Sequence, residues 1–473
     1  MKLTPVVLGC IALASSNIYA EPWVTTDDVF LRAAIDKLVS EGVIRRPVNS
    51  YPLMYKGIAQ DLASVNESAL SEDARFAYRK VQHALTVAKS GDYSAVRVSG
   101  NSSPNQLQSF GARNKSEAGI QASAVKMNER VTAKVSVGYH LDASSGKKLD
   151  YQGSYLAVLY GNWSISAEKI DKWFGPANDN ALLLSNNADP MLGLRLTRLN
   201  TNYYGPSFLS FIGPWNFTAF VGKNEQHVDK SNDNLFWAMR FSSTPIAGLE
   251  VGINQTAQFD GPLKNHGLSA LKDVIFTQNR LDDHGVNEYN QLTSLDIKYS
   301  TRLLDQSFSL YGEYAGSNEV SILPQDTMLT LGGEHFLGGQ DYLVKSYIEF
   351  SDTSSQCDFI TEGYHCQYQH PYYLQDYTHL TEQIGPSINK NVESITLASH
   401  YQTTKGYAGY IKLRQLDYTA KSAKITEQIQ LEVGYQQALF NGLIKLTSGM
   451  MRETKDNETN NEFMLSGSWE YRF

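Results

Sequence analysis

One polar stretch holds the side chains that could form a hydrolytic site: Ser355, Asp358, His365, His370, Asp376 and His379. Serine, histidine and aspartate act as nucleophile, base and orienting acid when the fold brings them into contact. The chain has no GxSxG, HExxH, phosphate-loop or GxGxxG motif to support such a site. We therefore favour a Tyr- and His-rich loop that packs on itself. We predict that the protein is not an enzyme and has no cofactor.

A second kind of polar sequence contains the residue types that bind sugars. Segments 173–205 and 353–391 are rich in Trp, Tyr, His, Asn, Asp and Gln. Flat rings stack on the apolar faces of a pyranose, and amides and carboxylates hydrogen-bond its hydroxyl groups. The same rings can instead form a membrane-interface belt or pack a loop. Asp179, Asp189 and Asp283 lack the spacing of a calcium loop, so we expect no metal.

The charge balance excludes one class of partner. The chain has 41 Lys and Arg residues against 49 Asp and Glu residues, which gives a net charge of −8. Nucleic-acid binding requires a basic face, so no nucleic acid is expected. The 28 tyrosines and the mean hydropathy of −0.34 indicate many half-polar strands.

The first 20 residues have the pattern of a signal peptide. Lys2 provides the positive start, an apolar segment runs to Ala14, and Ala20 is a small residue at the cleavage position. The mature chain is then expected to begin at Glu21. Lipidation at Cys10 is the less favoured alternative, because an apolar segment ending at Gly9 is short for an export signal.

Cleavage would leave two cysteines, Cys357 and Cys366, close together in a polar stretch. In an exported protein such a pair predicts a disulfide that closes a small loop. Half of a metal site is the alternative, but no second Cys/His pair lies at ligand spacing.

Residues 21–91 have a helical pattern. A first helix is predicted after a cap at Thr26 or Asp27 and before Gly42, on the spacing of Phe30, Leu31, Ala34, Ile35, Leu38 and Val39. A second helix is expected over 55–65, and a third between Ser71 and Gly91. Together they predict a small helical bundle.

From residue 92 the apolar period changes to two and remains so to residue 473. Eight short connections, near 128, 161, 213, 245, 304, 338, 404 and 441, alternate with nine long polar ones. The long ones are 101–117, 141–150, 173–205, 223–234, 259–289, 317–326, 353–391, 417–424 and 453–460. This alternation predicts an all-β transmembrane barrel of about eighteen antiparallel strands, with short turns at one end and long loops at the other.

The last strand supports the barrel. One of its faces carries Phe463, Leu465, Gly467, Trp469, Tyr471 and Phe473. In a bilayer an open strand edge leaves backbone groups unpaired, so this strand must close against the first one. Its aromatic end also resembles the C-terminal signal read by the bacterial barrel-assembly machinery.

Four segments resemble the Wzi family of capsule-assembly outer-membrane proteins. The most specific is WFGPANDNALLLSNNADPMLGLRL (173–196), followed by FLSFIGPWNFTAFVGK (208–223). The others are the stretch around the cysteine pair (349–373) and LRAAIDKLVSEGVI with the following YPL (31–53). The resemblance implies an eighteen-stranded barrel with a helical bundle at its periplasmic mouth and loops at the cell surface.

The resemblance also implies a lectin-like role, in which the protein binds exported capsular or extracellular polysaccharide and helps attach or assemble it at the cell surface. Matched motifs and predicted external placement select seven glycan-binding candidates: Trp173, Asn178, Asp179, Tyr364, His370, Tyr372 and Tyr373. The alternative for segments 173–176 and 185–190 is an inward loop that holds the barrel shut.

A porin or substrate-specific channel with a periplasmic helical adaptor is the second functional hypothesis. The expected partners are polysaccharide, outer-membrane lipid and, during biogenesis, the barrel-assembly machinery. Single-channel conductance separates a plugged barrel from a porin.

Overall fold

The computed structural model describes residues 21–473 with short gaps. The gaps are 104, 113–115, 142–145, 227–232, 262–266, 277–279, 282, 284–286, 318–323, 355–367, 371, 374, 420–424 and 457. Within these limits the chain forms a closed β-barrel, a group of helices at one of its mouths and three two-stranded ribbons.

Eighteen antiparallel strands form the barrel, counting Leu149–Asp150 as an extension of the fourth. They are β1 (Tyr93–Asn101), β2 (Ala118–Met127), β3 (Val131–Leu141), β4 (Ser154–Tyr160), β5 (Trp163–Lys169), β6 (Gly193–Arg198), β7 (Trp215–Asn224), β8 (Asn234–Ile246), β9 (Leu249–Phe259), β10 (Asn290–Leu303), β11 (Gln306–Ser317), β12 (Gln325–Gly338), β13 (Tyr342–Asp352), β14 (Val392–Thr403), β15 (Tyr407–Tyr418), β16 (Ile425–Leu439), β17 (Gly442–Lys455) and β18 (Glu458–Arg472). Each strand pairs with its sequence neighbours, and β18 pairs with β1 from Ser466↔Asn101 to Arg472↔Ala95. The predicted strand number and the closure of the last strand on the first are confirmed.

Side chains alternate between the lumen and the outer surface, because successive residues of a strand point to opposite faces. On β16, Gln430 and Glu432 are buried in the lumen, whereas Leu431, Val433 and Tyr435 are exposed on the outside. The same alternation recurs on β10, β14 and β15. An apolar outer band around a polar interior is the arrangement of a membrane-spanning barrel.

The two ends of the barrel differ in their connections. At the short-turn end, seven of the eight connections contain two or three residues, and only 199–214 is longer. The opposite end, called the long-connection end, carries the longest connections, 260–289 and 353–391. The predicted alternation of short and long connections is confirmed, with two corrections.

The first correction concerns β6. We predicted a long loop over 173–205 followed by a short strand before 213, but the strand is Gly193–Arg198 and Ser207–Ile212 is a 3₁₀ helix. Pro206 and Pro214 flank this helix. Because proline cannot donate to a ladder, the segment between them does not join the sheet.

The second correction concerns the predicted long loop over 453–460. Strands β17 and β18 continue to Lys455 and from Glu458, so the connection contains only two residues. The polar sequence here suggested a loop. Beyond the apolar band, however, strand residues meet water on their outer face and can be polar.

Three helices precede the barrel, as predicted: α1 (Val29–Ser40), α2 (Tyr55–Ala63) and α3 (Glu72–Ala88). The predicted cap at Thr26 or Asp27 is wrong, because the Asp28 carboxylate accepts hydrogen bonds from the N–H groups of Phe30 and Leu31, at 3.0 and 2.9 Å. Among the described residues, no helix has the length and apolar character needed to cross a membrane.

Helix α1 lies in the mouth of the barrel at the short-turn end. There, Lys37 Nζ is 2.8 Å from Ser307 Oγ at the start of β11. One residue earlier, Asp36 accepts hydrogen bonds from Lys298 Nζ at 3.1 Å and Lys345 Nζ at 2.7 Å. The helix is thus bonded to strands β10, β11 and β13 from inside the lumen.

A fourth helix, α4 (Leu268–Ile275), lies against the outer surface of the barrel. Its Ala270 and Val274 pack with Trp237 and Phe259, which belong to the outward faces of β8 and β9. Polar groups of the wall bond to it as well, since Gln255 Nε2 donates to the Val274 carbonyl at 2.9 Å. One flank of the barrel is therefore covered by protein near its long-connection end.

Candidate functional site

Segment 170–192, which joins β5 to β6, turns into the lumen and is called the plug. Its backbone N–H groups at Asn178, Asp179 and Asn180 donate to the carboxylate of Glu349 on β13, at 2.7, 3.1 and 2.7 Å. A buried carboxylate needs several donors to offset the loss of water. Glu349 therefore fixes three consecutive plug residues to the barrel wall.

Asp179 is held by cations of β15. Arg414 donates to its two oxygens at 2.8 and 2.9 Å, and Lys412 Nζ lies 3.1 Å away. Burial by itself raises the pKa of the Asp179 carboxyl, but the charges of Arg414 and Lys412 outweigh burial and hold the pKa well below its usual range. The carboxylate is thus fully committed to bonds within the chain.

Asn178 connects the plug to the helices. Its side-chain amide donates to Glu334 at 2.8 Å, and its oxygen accepts from Lys345 Nζ at 2.9 Å. The same Lys345 bonds to Asp36 of α1. The plug and α1 therefore share one buried network of charged and amide groups.

Trp173 is also internal. Its ring is 1% exposed and meets Phe110 at 5.4 Å in an edge-on contact, while its Nε1 donates to the Ala177 carbonyl at 3.1 Å. Arg32 of α1 donates to the Ala177 carbonyl as well, at 2.9 Å. Trp173 thus packs the lumen and does not reach the surface.

The predicted external placement of Trp173, Asn178 and Asp179 is therefore wrong. The segment that contains them instead forms the inward loop, which was the alternative prediction. Charged side chains of the lumen provide hydrogen-bond partners for its amides and its carboxylate. Glycan contact by these three residues remains a prediction, and their burial leaves only Asn178 beside open space.

The other candidates belong to connection 353–391. Tyr364 and both cysteines, Cys357 and Cys366, lie outside the described residues. His370 packs on Tyr372 and Tyr373, with ring centroids 5.8 and 5.3 Å apart. His370 and Tyr373 are buried, and Tyr372 is partly exposed. This arrangement agrees with a loop that packs on itself, and sugar binding by these residues remains a prediction.

Two tyrosines that the sequence did not single out hold this connection against the plug. Tyr368 Oη donates to the Leu182 carbonyl at 2.7 Å, and Tyr377 Oη donates to the Leu183 carbonyl at 2.9 Å. Their rings stack 5.6 Å apart. The long connection therefore covers the lumen from the end opposite to α1.

His379 joins the same connection to the neighbouring one. Its Nδ1 lies 3.1 Å from the Glu225 N–H and 3.0 Å from Asn224 Oδ1, so it accepts from Glu225 in one neutral tautomer and donates to Asn224 in the other. Burial lowers the pKa of His379 to about 4, although the charges of Asp189 and Glu225 act in the opposite direction. The imidazole is therefore neutral at physiological pH.

One part of the lumen is not filled. A cavity with about 130 Å³ of room for the centres of water-sized spheres lies between α1, segment 101–112 and the inner faces of β14–β18. Cations and rings line it, including Arg32, Lys412, His400 and Tyr410. Lys412 and Arg414 were not among the predicted site residues, although the alternation in YIKLRQL (410–416) places both cations on the lumen face.

Metal binding has no support in the described part of the chain, where no three His, Cys, Asp or Glu side chains are grouped to hold an ion. The Asp179 oxygens bond to Arg414 and Lys412, two cations that would oppose a metal ion at this carboxylate.

The fold and its filled lumen define a class: a closed membrane barrel of eighteen strands, plugged by its own chain. Comparison with known families gives the identity, since the family described as "Capsule assembly protein Wzi" matches residues 88–464. The chain belongs to this family.

Two known proteins resemble this chain. The chain is 26% identical, over 355 residues, to an uncharacterized 55.8 kDa protein in the cps region of Klebsiella pneumoniae, covering 74% of this chain and 68% of that one. It also resembles the solved structure of Escherichia coli Wzi, with a TM-score of 0.81 and 20% identity over 95% of this chain and 99% of that one. That protein is described as an outer membrane protein involved in group 1 capsule assembly and as a carbohydrate-binding β-barrel. This structural similarity confirms the predicted fold.

Proposed function

We propose that this protein is an outer-membrane lectin that binds exported polysaccharide and helps attach or assemble it at the cell surface. The family membership supports the role in capsule assembly. The observation that carries the proposal is the obstructed lumen, because a barrel occupied by α1 and by the plug is built to present a surface rather than to conduct.

The same proposal sets the orientation. Short turns are typical of the periplasmic end of bacterial barrels and long loops of the outer end. The helices, at the short-turn end, then lie in the periplasm, and connections 260–289 and 353–391 face the medium. We further propose that residues 1–20 are removed as a signal peptide. Residues 21–91 then form the helical bundle, residues 92–473 form the barrel, and Cys357 and Cys366 form a disulfide. We assign it no catalytic step.

The test is deletion of the gene in the native host, followed by measurement of polysaccharide on the cells and in the medium. We expect the total to be unchanged and polymer to move from cells to medium. Restoring the wild-type gene is the control and should return polymer to the cells. If both fractions stay as in the parent, the proposed attachment role is wrong.

A further inference from the structure

The unfilled part of the lumen is rich in positive charge. Five cationic side chains line it against two carboxylates, Asp27 and Glu432; the cations are Arg32, Arg97, Lys345, Lys412 and Lys445. Lys345 pairs with Asp36 and Glu334, and Lys412 pairs with Asp179, so acidic groups behind the lining offset part of this charge. A ligand that carries one negative charge would be favoured over a neutral ligand of the same shape.

Aromatic rings form one wall of this cavity. His400 lies among Phe30, Tyr347 and Tyr410, with ring centroids 6.0, 5.8 and 5.6 Å away. The imidazole is 8% exposed, and its Nδ1 has no hydrogen-bond partner within the described chain. Rings next to an unused polar atom suit a ligand that has both apolar faces and hydroxyl groups.

The adjoining wall is made of small side chains, and Tyr410 Oη lies 3.5 Å from Thr447 Oγ1 where the two walls meet. Thr447, Gly449, Ser466 and Ser468 occupy neighbouring inward positions of β17 and β18. Their small size leaves room beside this part of the barrel wall. The hydroxyl groups of this wall can donate to and accept from a ligand.

The cavity extends toward the long-connection end. Ser103 and Asn105 border it there and are partly exposed. At the short-turn end, Lys445 Nζ donates to the Asp27 carbonyl at 3.1 Å and bridges the barrel wall to the chain before α1. The cavity therefore has partly exposed lining at the end that we propose to face the medium, where a surface polysaccharide could reach it.

We propose that this cavity is a subsite for one acidic sugar unit, a uronic acid, of the polysaccharide. The sugar ring lies against the wall of Tyr410 and His400, its hydroxyl groups meet Thr447 and Ser468, and its carboxylate lies among the cations. This inference rests on the proposed function and adds the chemical class of the unit and the place where it is bound.

Purified full-length protein in detergent tests the site with two probes, sodium D-glucuronate and D-glucose, by saturation-transfer NMR and titration. Wild type should bind glucuronate about tenfold more tightly than glucose. Thr447→Phe fills the cavity and should weaken glucuronate binding by about tenfold or more. Ser448→Phe adds the same ring on the outer face of β17 and should leave binding unchanged.

Ser468→Leu is a second filling variant, for use if Thr447→Phe does not give the heat-resistant gel mobility of a folded barrel. Equal binding of glucuronate by the filled variants and by wild type overturns the inference, and so does equal binding of the two sugars by wild type. Competition by acetate at the same concentration would also overturn it, because the site would then recognise any carboxylate.

The host separates this inference from the proposed function. If deletion moves polymer to the medium and Thr447→Phe does so too, the subsite is supported. If deletion moves polymer and the filled variants do not, the subsite is wrong while the attachment role stands. If deletion itself moves no polymer, the attachment role fails.

Discussion

Single charged residues hold the lumen closed, and Arg414 is the clearest case. Its guanidinium is about 2% exposed and bonds to both oxygens of Asp179 in the plug. Breaking a buried pair by removing one partner leaves the other charge without compensation, which typically costs about 3–5 kcal/mol. The plug therefore depends on side chains that come from distant strands.

Arg414→Ala should lower the stability of the folded barrel by about 3 kcal/mol, because Lys412 alone remains to balance the Asp179 carboxylate. The measurement is the urea midpoint for loss of folded barrel on unheated gels. The control is Lys126→Ala, which removes a pair with Asp92 whose side chains are 80% and 43% exposed. It should change stability by less than about 1 kcal/mol. Equal effects of the two variants would contradict the buried role of Arg414.

His379 predicts a pH dependence. Its pKa is about 4 in the folded state against 6.5 for the free group, so the unfolded chain binds more protons between these values. Stability therefore falls as the pH drops from about 7 to about 5, by about 2 kcal/mol for this residue. His379→Gln, which keeps an acceptor and does not titrate, should lose that part of the pH dependence. If the free energy of unfolding falls equally with pH in wild type and in His379→Gln, His379 does not contribute to the pH dependence of stability.

At the scale of elements, the two faces of each strand have different surroundings. On the outer face of β15, Ile411 lies in the apolar band, whereas Gln415 lies beyond it, where β15 has become polar. A cationic side chain that faces lipid lowers the folding free energy most at the membrane midplane and little near the membrane surface.

Ile411→Arg should reduce the folding free energy in phospholipid vesicles by about 2–4 kcal/mol. Gln415→Arg is the matched control on the same face of the same strand and should change it by less than about 1 kcal/mol. The measurement is equilibrium folding from urea, followed by gel mobility. Similar costs at the two positions would mean that the apolar band extends past Gln415.

The alternation of apolar and polar residues was sufficient to predict the strands, their number and the closure of β18 on β1, because period two and the need to pair every edge are local and general constraints. The three early helices followed from apolar spacing in the same way. The position of β6 did not follow, because its six residues lie beside the plug, and the proline-flanked segment 206–214 has similar apolar content.

The candidate site was harder to predict. Trp173, Asn178 and Asp179 lie in a long connection, and a long polar connection of a barrel usually faces outward. Only the three-dimensional arrangement shows that Glu349, Arg414 and Lys345 supply the bonds that turn it inward. Those residues are far from the plug in sequence, so no local pattern reports the contact.

The whole molecule is a barrel filled from both ends. Helix α1 enters at the short-turn end, and Tyr368 and Tyr377 fasten connection 353–391 over the plug at the other. In planar bilayers the wild-type protein should show no steady conductance, with an open porin in the same bilayer as the positive control. A steady current from wild type would favour the channel hypothesis over the lectin.

The bonds of the plug also set an order of events during assembly. The partners of residues 178–180 lie far along the sequence: Glu349 comes 171 residues after Asn178, and Arg414 comes 235 residues after Asp179. Until β13 and β15 are in place, the plug amides and the Asp179 carboxylate have no fixed partners inside the chain. The plug can therefore take its final bonds only after β13 and β15 have joined the sheet.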